Sequence, residues 1–320
     1  MGLAMIFVFL SHAQSETLGF MPTGIKGEIC KYGFLGVDVF IFLSAYGLCF
    51  SLARNDLKTY FLNRIERILP TWFLVLTLVH IAGIFVSHFI PSMNFTYPRT
   101  ILDCLWWYTG LGFFFNTCSY EWYVPTILLF YTFAPALFKM SRNSLLILAV
   151  LIMGIVVTFE NIEITPSHLH IMIERLPVFI LGFAYYKFEK GGFLNRFLTI
   201  CLILAIVLIF AVVLFCDISI VPTTILFAPC CPLLILLISF LLRLIQSVCP
   251  CKFLSFIGSI SLEFYLIHLY RRPQFLVSLL TDNCYIQLIL AFVLCTAASY
   301  IIHRTMQMMP TFRSIGSKKQ

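Results

Sequence analysis

Apolar side chains follow one another along this chain in runs of about 15 to 20 residues that carry almost no charge. The clearest cover Phe34 to Ala53, Thr71 to Ile90, Trp122 to Phe138, Leu145 to Phe159, His170 to Tyr186, Phe197 to Phe215, Val221 to Leu242, Phe253 to Tyr270 and Tyr285 to His303, and Met1 to Ala13 opens the chain with another. A helix of about 20 apolar residues crosses ~30 Å of hydrocarbon. Lipid satisfies no backbone polar group, so only helices or closed barrels span it, and the alternating strands of a barrel are absent. The pattern predicts an all-α, polytopic transmembrane helical bundle of about ten spans. It forms a single integral-membrane domain over residues 1 to 320, without linker, repeat or soluble domain.

Two stretches depart from the pattern. At 1.5 Å per residue, Met1 to Ala13 reaches only about 20 Å, short of the hydrocarbon core. It lacks the basic start and small-residue cleavage pattern of a signal peptide. The expectation is a chain that begins late and lacks its first helical turns. Between Pro91 and Tyr120 the apolar part, Leu102 to Phe115, is short, as a re-entrant or interfacial piece would be.

Composition strengthens this reading. Apolar residues make up 61% and charged residues 11%, against about 25% charged in a soluble domain. The net charge of +7 then concerns orientation in the bilayer and not nucleic acid. If Pro91 to Tyr120 does not cross, only Lys26, Lys31, Arg99, Arg175, Arg271 and Arg272 of the 21 basic residues fall off the cytoplasmic side. Both termini are therefore expected in the cytoplasm, with residues 304 to 320 as a short basic tail. Most of the 12 cysteines, Cys49, Cys201 and Cys295 among them, lie inside apolar runs, where Cys acts as a small hydrophobe. Cys230-Cys231 and Cys249-Pro-Cys251 have no matched ligand pair, so no metal site is expected.

Ionisable residues at membrane depth cost at least ~2.5 to 3.5 kcal/mol on insertion scales and so mark candidate chemistry. His12, Asp38, Glu121 and Arg175 fall near the outer ends of their helices, and Glu263 and His268 in the middle and outer part of theirs. Each alone could be an interfacial residue; as a layer they point to a shared polar cavity. On the opposite side Arg64 and Arg67 stand three apart beside Glu66, just before Pro70, which ends or kinks the helix. Guanidiniums in that arrangement suit bidentate phosphate binding, although a stop signal would look the same. Gly36, Ser44 and Gly47 are the small residues expected at close helix contacts. Trp106, Trp107, Trp122 and Tyr123 are expected in an outer aromatic belt.

The ordered set Gly2-Leu-Ala…Ser11-His12, Gly36-Val-Asp38…Ser44, Arg64-Ile-Glu-Arg67-Ile-Leu-Pro70, Trp122-Tyr-Val…Tyr131…Pro135, Arg175-Leu-Pro…Gly182 and Gly258…Ser261…Tyr265-Leu-Ile-His268 resembles the bacterial acyltransferase-3 family of membrane O-acyltransferases. The likeness runs over essentially the whole chain. It implies transfer of an acyl group, usually acetyl, from acyl-CoA to a hydroxyl of a cell-surface or exported glycan, free or lipid-linked. It also implies a multi-pass protein of the bacterial inner membrane, with no bound cofactor and with acetyl-CoA as donor substrate. The family places an arginine eleven residues before the histidine of the first helix, and here that position is Met1. This agrees with a late start or with an inactive member.

On that resemblance His12 is expected as general base or transient acyl carrier. Asp38 or Glu121 would orient its ring. Arg64 and Arg67 would hold the CoA phosphates. Arg175, with Glu263 and His268, would bind substrate or steady the oxyanion. The competing class is a transporter or flippase of a lipid-linked glycan, which interrupted helix pairs would favour.

Overall fold

A computed structural model describes residues 1–14, 32–89, 98–115, 122–159, 167–215, 223–246, 252–269, 277, 280–281 and 283–308. Among them there is no strand. The helices in chain order are α1 (Gly2–Gln14), α2 (Gly36–Arg54, entered by a 3-10 turn, Tyr32–Leu35), α3 (Leu57–Phe89), α4 (Ile101–Thr109), α5 (Leu111–Phe114), α6 (Tyr123–Lys139) and α7 (Arg142–Phe159). They continue as α8 (Ser167–Lys190), α9 (Leu194–Phe215), α10 (Thr223–Phe227), α11 (Cys230–Gln246), α12 (Lys252–Ser259), α13 (Ser261–Leu269) and α14 (Cys284–Met308).

The fold is the expected all-α membrane bundle. Tyr32–Arg54, Leu57–Phe89, Leu169–Lys190 and Cys284–Met308 are long and apolar enough to cross, and α12 with α13 makes a fifth span bent by 67°. By length and composition this gives four or five crossings among the described residues, and the expected ten are not reached. The difference lies in α1, α6, α7, α9 and α11, which are apolar but shorter. The run Val221 to Leu242 is divided between α10 and α11, with Pro229 at the division. The bend between α12 and α13 falls in Gly258-Ser-Ile-Ser261, the kind of Gly/Ser pair at which helices kink. There the Ser259 hydroxyl donates to the Phe256 carbonyl at 2.7 Å.

Two helices lie in the stretch expected to be short. In α4 the Thr100 hydroxyl accepts the Asp103 N–H at 3.1 Å, while Asp103 Oδ2 accepts the N–H groups of Arg99 at 3.0 Å and Thr100 at 2.9 Å. This capping box holds the Asp103 carboxyl below the usual carboxylate range, the Arg99 and Thr100 backbone N–H groups being the main causes. Gly110, at φ 72°, closes the helix in the left-handed region. At nine residues, α4 covers about 14 Å and cannot cross.

α3 has 33 residues and is about 50 Å long, well over the hydrocarbon thickness. It continues through Pro70, so the proline does not end it. Its basic first turns thus extend beyond the apolar part. α14 likewise runs past His303 to Met308, and residues 309 to 320 of the expected tail lie outside the described residues.

The chain divides into two compact units of interleaved segments. One comprises Met1–Phe34, Phe61–Val124 and Phe253–Gln320, the other Leu35–Tyr60 and Pro125–Lys252. In the first, α13 packs between α1 and α14. α1 approaches α12 so closely that a methyl group at Gly2 would overlap the Leu254 carbonyl.

The second unit is built around α8, which packs on α2 and α7 and touches α9, α10 and α11. Its crossing with α2 is fixed at three levels. Arg175 Nη1 donates to Asp38 Oδ1 at 2.5 Å, a Cβ at Gly182 would stand 2.6 Å from that of Ala45, and the Tyr46 hydroxyl donates to Glu189 at 2.7 Å. Residue numbers rise together along both helices, so α2 and α8 are parallel. The small residues that admit the contact are Ala45 and Gly182. Gly47, expected to serve packing, faces open space. Cys49, Cys201 and Cys295 are fully buried, as small hydrophobes should be.

Pro135 lies inside α6 and has no N–H to give the Tyr131 carbonyl one turn earlier. The hydroxyl of Tyr60, 0% exposed, donates to that carbonyl at 3.1 Å. Tyr60→Phe should therefore lower unfolding stability by about 1–3 kcal/mol, read as a lower thermal midpoint in detergent; an unchanged midpoint would refute this role. For the buried Asp38–Arg175 pair, Arg175→Met leaves a lone carboxylate and is expected to cost about 3–5 kcal/mol, most of it regained by the double replacement Asp38→Leu with Arg175→Met. Additive losses in the same unfolding assay would contradict that expectation.

Candidate active site

In the first unit α1 carries His12 in its last turn and α13 carries His268. The two imidazoles stack, with centroids 4.9 Å apart and planes inclined by 23°. His12 Nδ1 lies 2.7 Å from His268 Nε2, and His268 Nδ1 lies 2.9 Å from the Phe264 carbonyl oxygen one turn back.

These contacts fix where the protons sit. A carbonyl only accepts, so His268 Nδ1 carries a hydrogen. His268 is 1% exposed, and burying a full charge is costly, so the ring is neutral and its Nε2 accepts. His12 Nδ1 must then be the donor, and in a neutral His12 the unprotonated, basic nitrogen is Nε2. His12 is half-buried, so of the two rings it is the one within reach of a substrate.

Aromatic side chains surround His268. Phe9, Phe264 and Tyr265 place their centroids 6.1, 5.8 and 5.6 Å from that of His268, and Phe292 of α14 closes on Phe9 at 5.3 Å. Tyr123, expected in the outer belt, packs its ring 5.1 Å from that of Tyr265. Trp107, from the same expected belt, stands edge-on to His80 at 5.0 Å. Their spacing in the chain does not reveal these inward contacts.

Glu263, on the same helix as His268, is buried and accepts from His303 Nδ1 at 2.9 Å. His303 Nε2 is 3.0 Å from Gln307 Nε2, so Gln307 donates and a short chain of hydrogen bonds leads from Glu263 along α14. His303 was missed from the sequence because it sits at the end of an apolar run, where it resembles an interfacial residue.

In the second unit Asp38 and Arg175 form the buried ion pair already described. Oδ2 of Asp38 has no hydrogen-bond partner among the described residues. One turn before Arg175, His170 Nδ1 lies 2.6 Å from Glu174, a pairing that the i,i+4 spacing alone could have suggested. Arg64 is half-buried and Arg67 exposed on α3. Glu121 lies outside the described residues, as does Cys249-Pro-Cys251.

Thus the structure joins His12 to His268, Asp38 to Arg175, and Glu263 to His303. No curated protein and no solved structure matches the chain. A family model described as an acyltransferase domain, that of the acyltransferase-3 family, matches residues 2–304. Covering nearly all of the chain and every residue of the three pairs, it shows that this membrane protein is an acyltransferase of the acyltransferase-3 family.

Proposed function

We propose that the protein is an O-acyltransferase that moves an acyl group, acetyl in the simplest case, from acyl-CoA to a hydroxyl of a surface or exported glycan. The hydrogen-bonded His12–His268 pair carries this reading, because it presents a basic imidazole nitrogen in an aromatic, water-poor setting within an acyltransferase domain.

In this reading His12 Nε2 takes the proton of the acceptor hydroxyl as that oxygen attacks the thioester carbonyl. The tetrahedral intermediate collapses, the carbon–sulfur bond breaks, and the CoA thiolate receives the proton from His12. No net proton enters or leaves. His268 has the orienting role that the sequence suggested for Asp38: it accepts from His12 Nδ1, fixes the tautomer and steadies the transient imidazolium. Arg64 and Arg67 hold the phosphates of the donor.

The interrupted span of α12 and α13, with the buried Glu263–His303 pair beside it, favours a second reading, a transporter of lipid-linked glycan. Reconstituted protein given acetyl-CoA and a glycan acceptor separates the two. The acyltransferase reading expects free CoA to appear with the ester; His12→Ala should remove at least about 99% of this turnover, as loss of a general base costs 10²–10⁴-fold. His268→Asn should lower kcat with the KM for acetyl-CoA little changed. Glycan movement without CoA release, or full turnover by His12→Ala, would overturn it.

A further inference from the structure

At one end of the second unit, α2, α6 and α8 finish and α7 and α9 begin. This end carries Arg54, Lys139, Arg142, Lys187, Lys190 and Arg196, while the nearby Glu189 accepts the Tyr46 hydroxyl. None of these six cations is ion-paired with a carboxylate among the described residues. Four sit over aromatic rings instead. The Arg142 guanidinium lies 4.1 Å from the centroid of Phe193 and 5.4 Å from that of Phe188, and Arg196 lies 5.3 Å from Phe193. Lys187 is 5.4 Å from Phe138, and Lys190 is 5.6 Å from Tyr186.

The backbone sets this geometry. Gly192, at φ 75°, donates to the Glu189 carbonyl at 3.1 Å, and Phe193 donates to that of Phe188 at 2.8 Å. These are the two bonds of a Schellman motif. The turn therefore places Phe193, 38% exposed, within 5.3 Å of both guanidiniums. Contact with a ring face leaves the in-plane N–H groups of arginine available for an anion.

An apolar strip continues from this corner. On α9, Leu202, Ile203, Ile206 and Val207 are all at least half exposed, and Ile203 and Val207 lie on the same helix face as Arg196. A soluble phosphate has no use for such a strip, whereas an acyl chain does. Orientation in the bilayer requires only that cations gather at this end. It does not require two of them set over one ring beside an exposed apolar helix face.

We propose that this corner binds an anionic phospholipid, its phosphate held between Arg142 and Arg196 and an acyl chain laid along α9. The purified full-length protein, in detergent, is titrated with dioleoyl-phosphatidylglycerol, dioleoyl-phosphatidylcholine or inorganic pyrophosphate while its thermal midpoint is followed. The glycerol lipid alone should raise the midpoint, and Arg142→Ala with Arg196→Ala should raise its half-saturating concentration about thirtyfold. Arg196→Glu is a second variant, placing an acid in the exposed first turn of α9, where acids suit a helix; it should weaken the lipid at least as much as loss of one arginine, about fivefold. Equal stabilisation by the choline lipid, saturation by pyrophosphate, or wild-type titration by either variant would overturn the proposal.

Discussion

Hydrocarbon offers no hydrogen bonds, so a polar group carried to that depth must find its partner inside the protein. Much of this molecule follows from that constraint. Pro135 frees a carbonyl in α6, and a fully buried tyrosine hydroxyl from the start of α3 meets it. Asp38 enters the membrane because Arg175 is on the parallel helix at matching height, with a glycine one heptad further on letting the two backbones close. Glu263 is supported in the same way by His303.

The histidine pair is the case in which satisfying the constraint also prepares chemistry. Had His268 been given a carboxylate, the pair would carry a buried charge to be neutralised. It is given a backbone carbonyl instead, which holds one proton in place and nothing more. The consequence passes through the second ring to the first and leaves His12 with its basic nitrogen on the side away from His268. Phe9 and Phe264 pack on the His268 ring, against which His12 stacks, and Phe292 packs on both phenylalanines, which is how an aromatic cluster, ordinary as packing, becomes part of a site.

Hydrophobic run length located the long helices well: the run Phe34 to Ala53 became Gly36–Arg54, and Tyr285 to His303 became Cys284–Met308. Breaks inside apolar runs were not legible. Ile260 and Pro229 lie among residues apolar enough to hide a bend, and hydropathy carries no information on direction. The candidate residues themselves were visible, because charge in an apolar run is conspicuous. Their pairing was not, since the partners stand 137 and 256 residues apart. For the same reason the orienting role suggested for Asp38 passes to His268 in the proposed mechanism: the sequence shows which residues share a layer but not which ring nitrogen each one reaches.

The proton arrangement of the pair is the central claim, and it is open to direct observation. Nitrogen-15 spectra of histidine-labelled protein in lipid, with His12→Ala and His268→Asn used to assign the signals, report which nitrogen of each ring is protonated. The account predicts a neutral His12 protonated at Nδ1 and bare at Nε2, beside a His268 with the same tautomer. A His12 protonated at Nε2, with His268 charged or carrying its proton on Nε2, would contradict it.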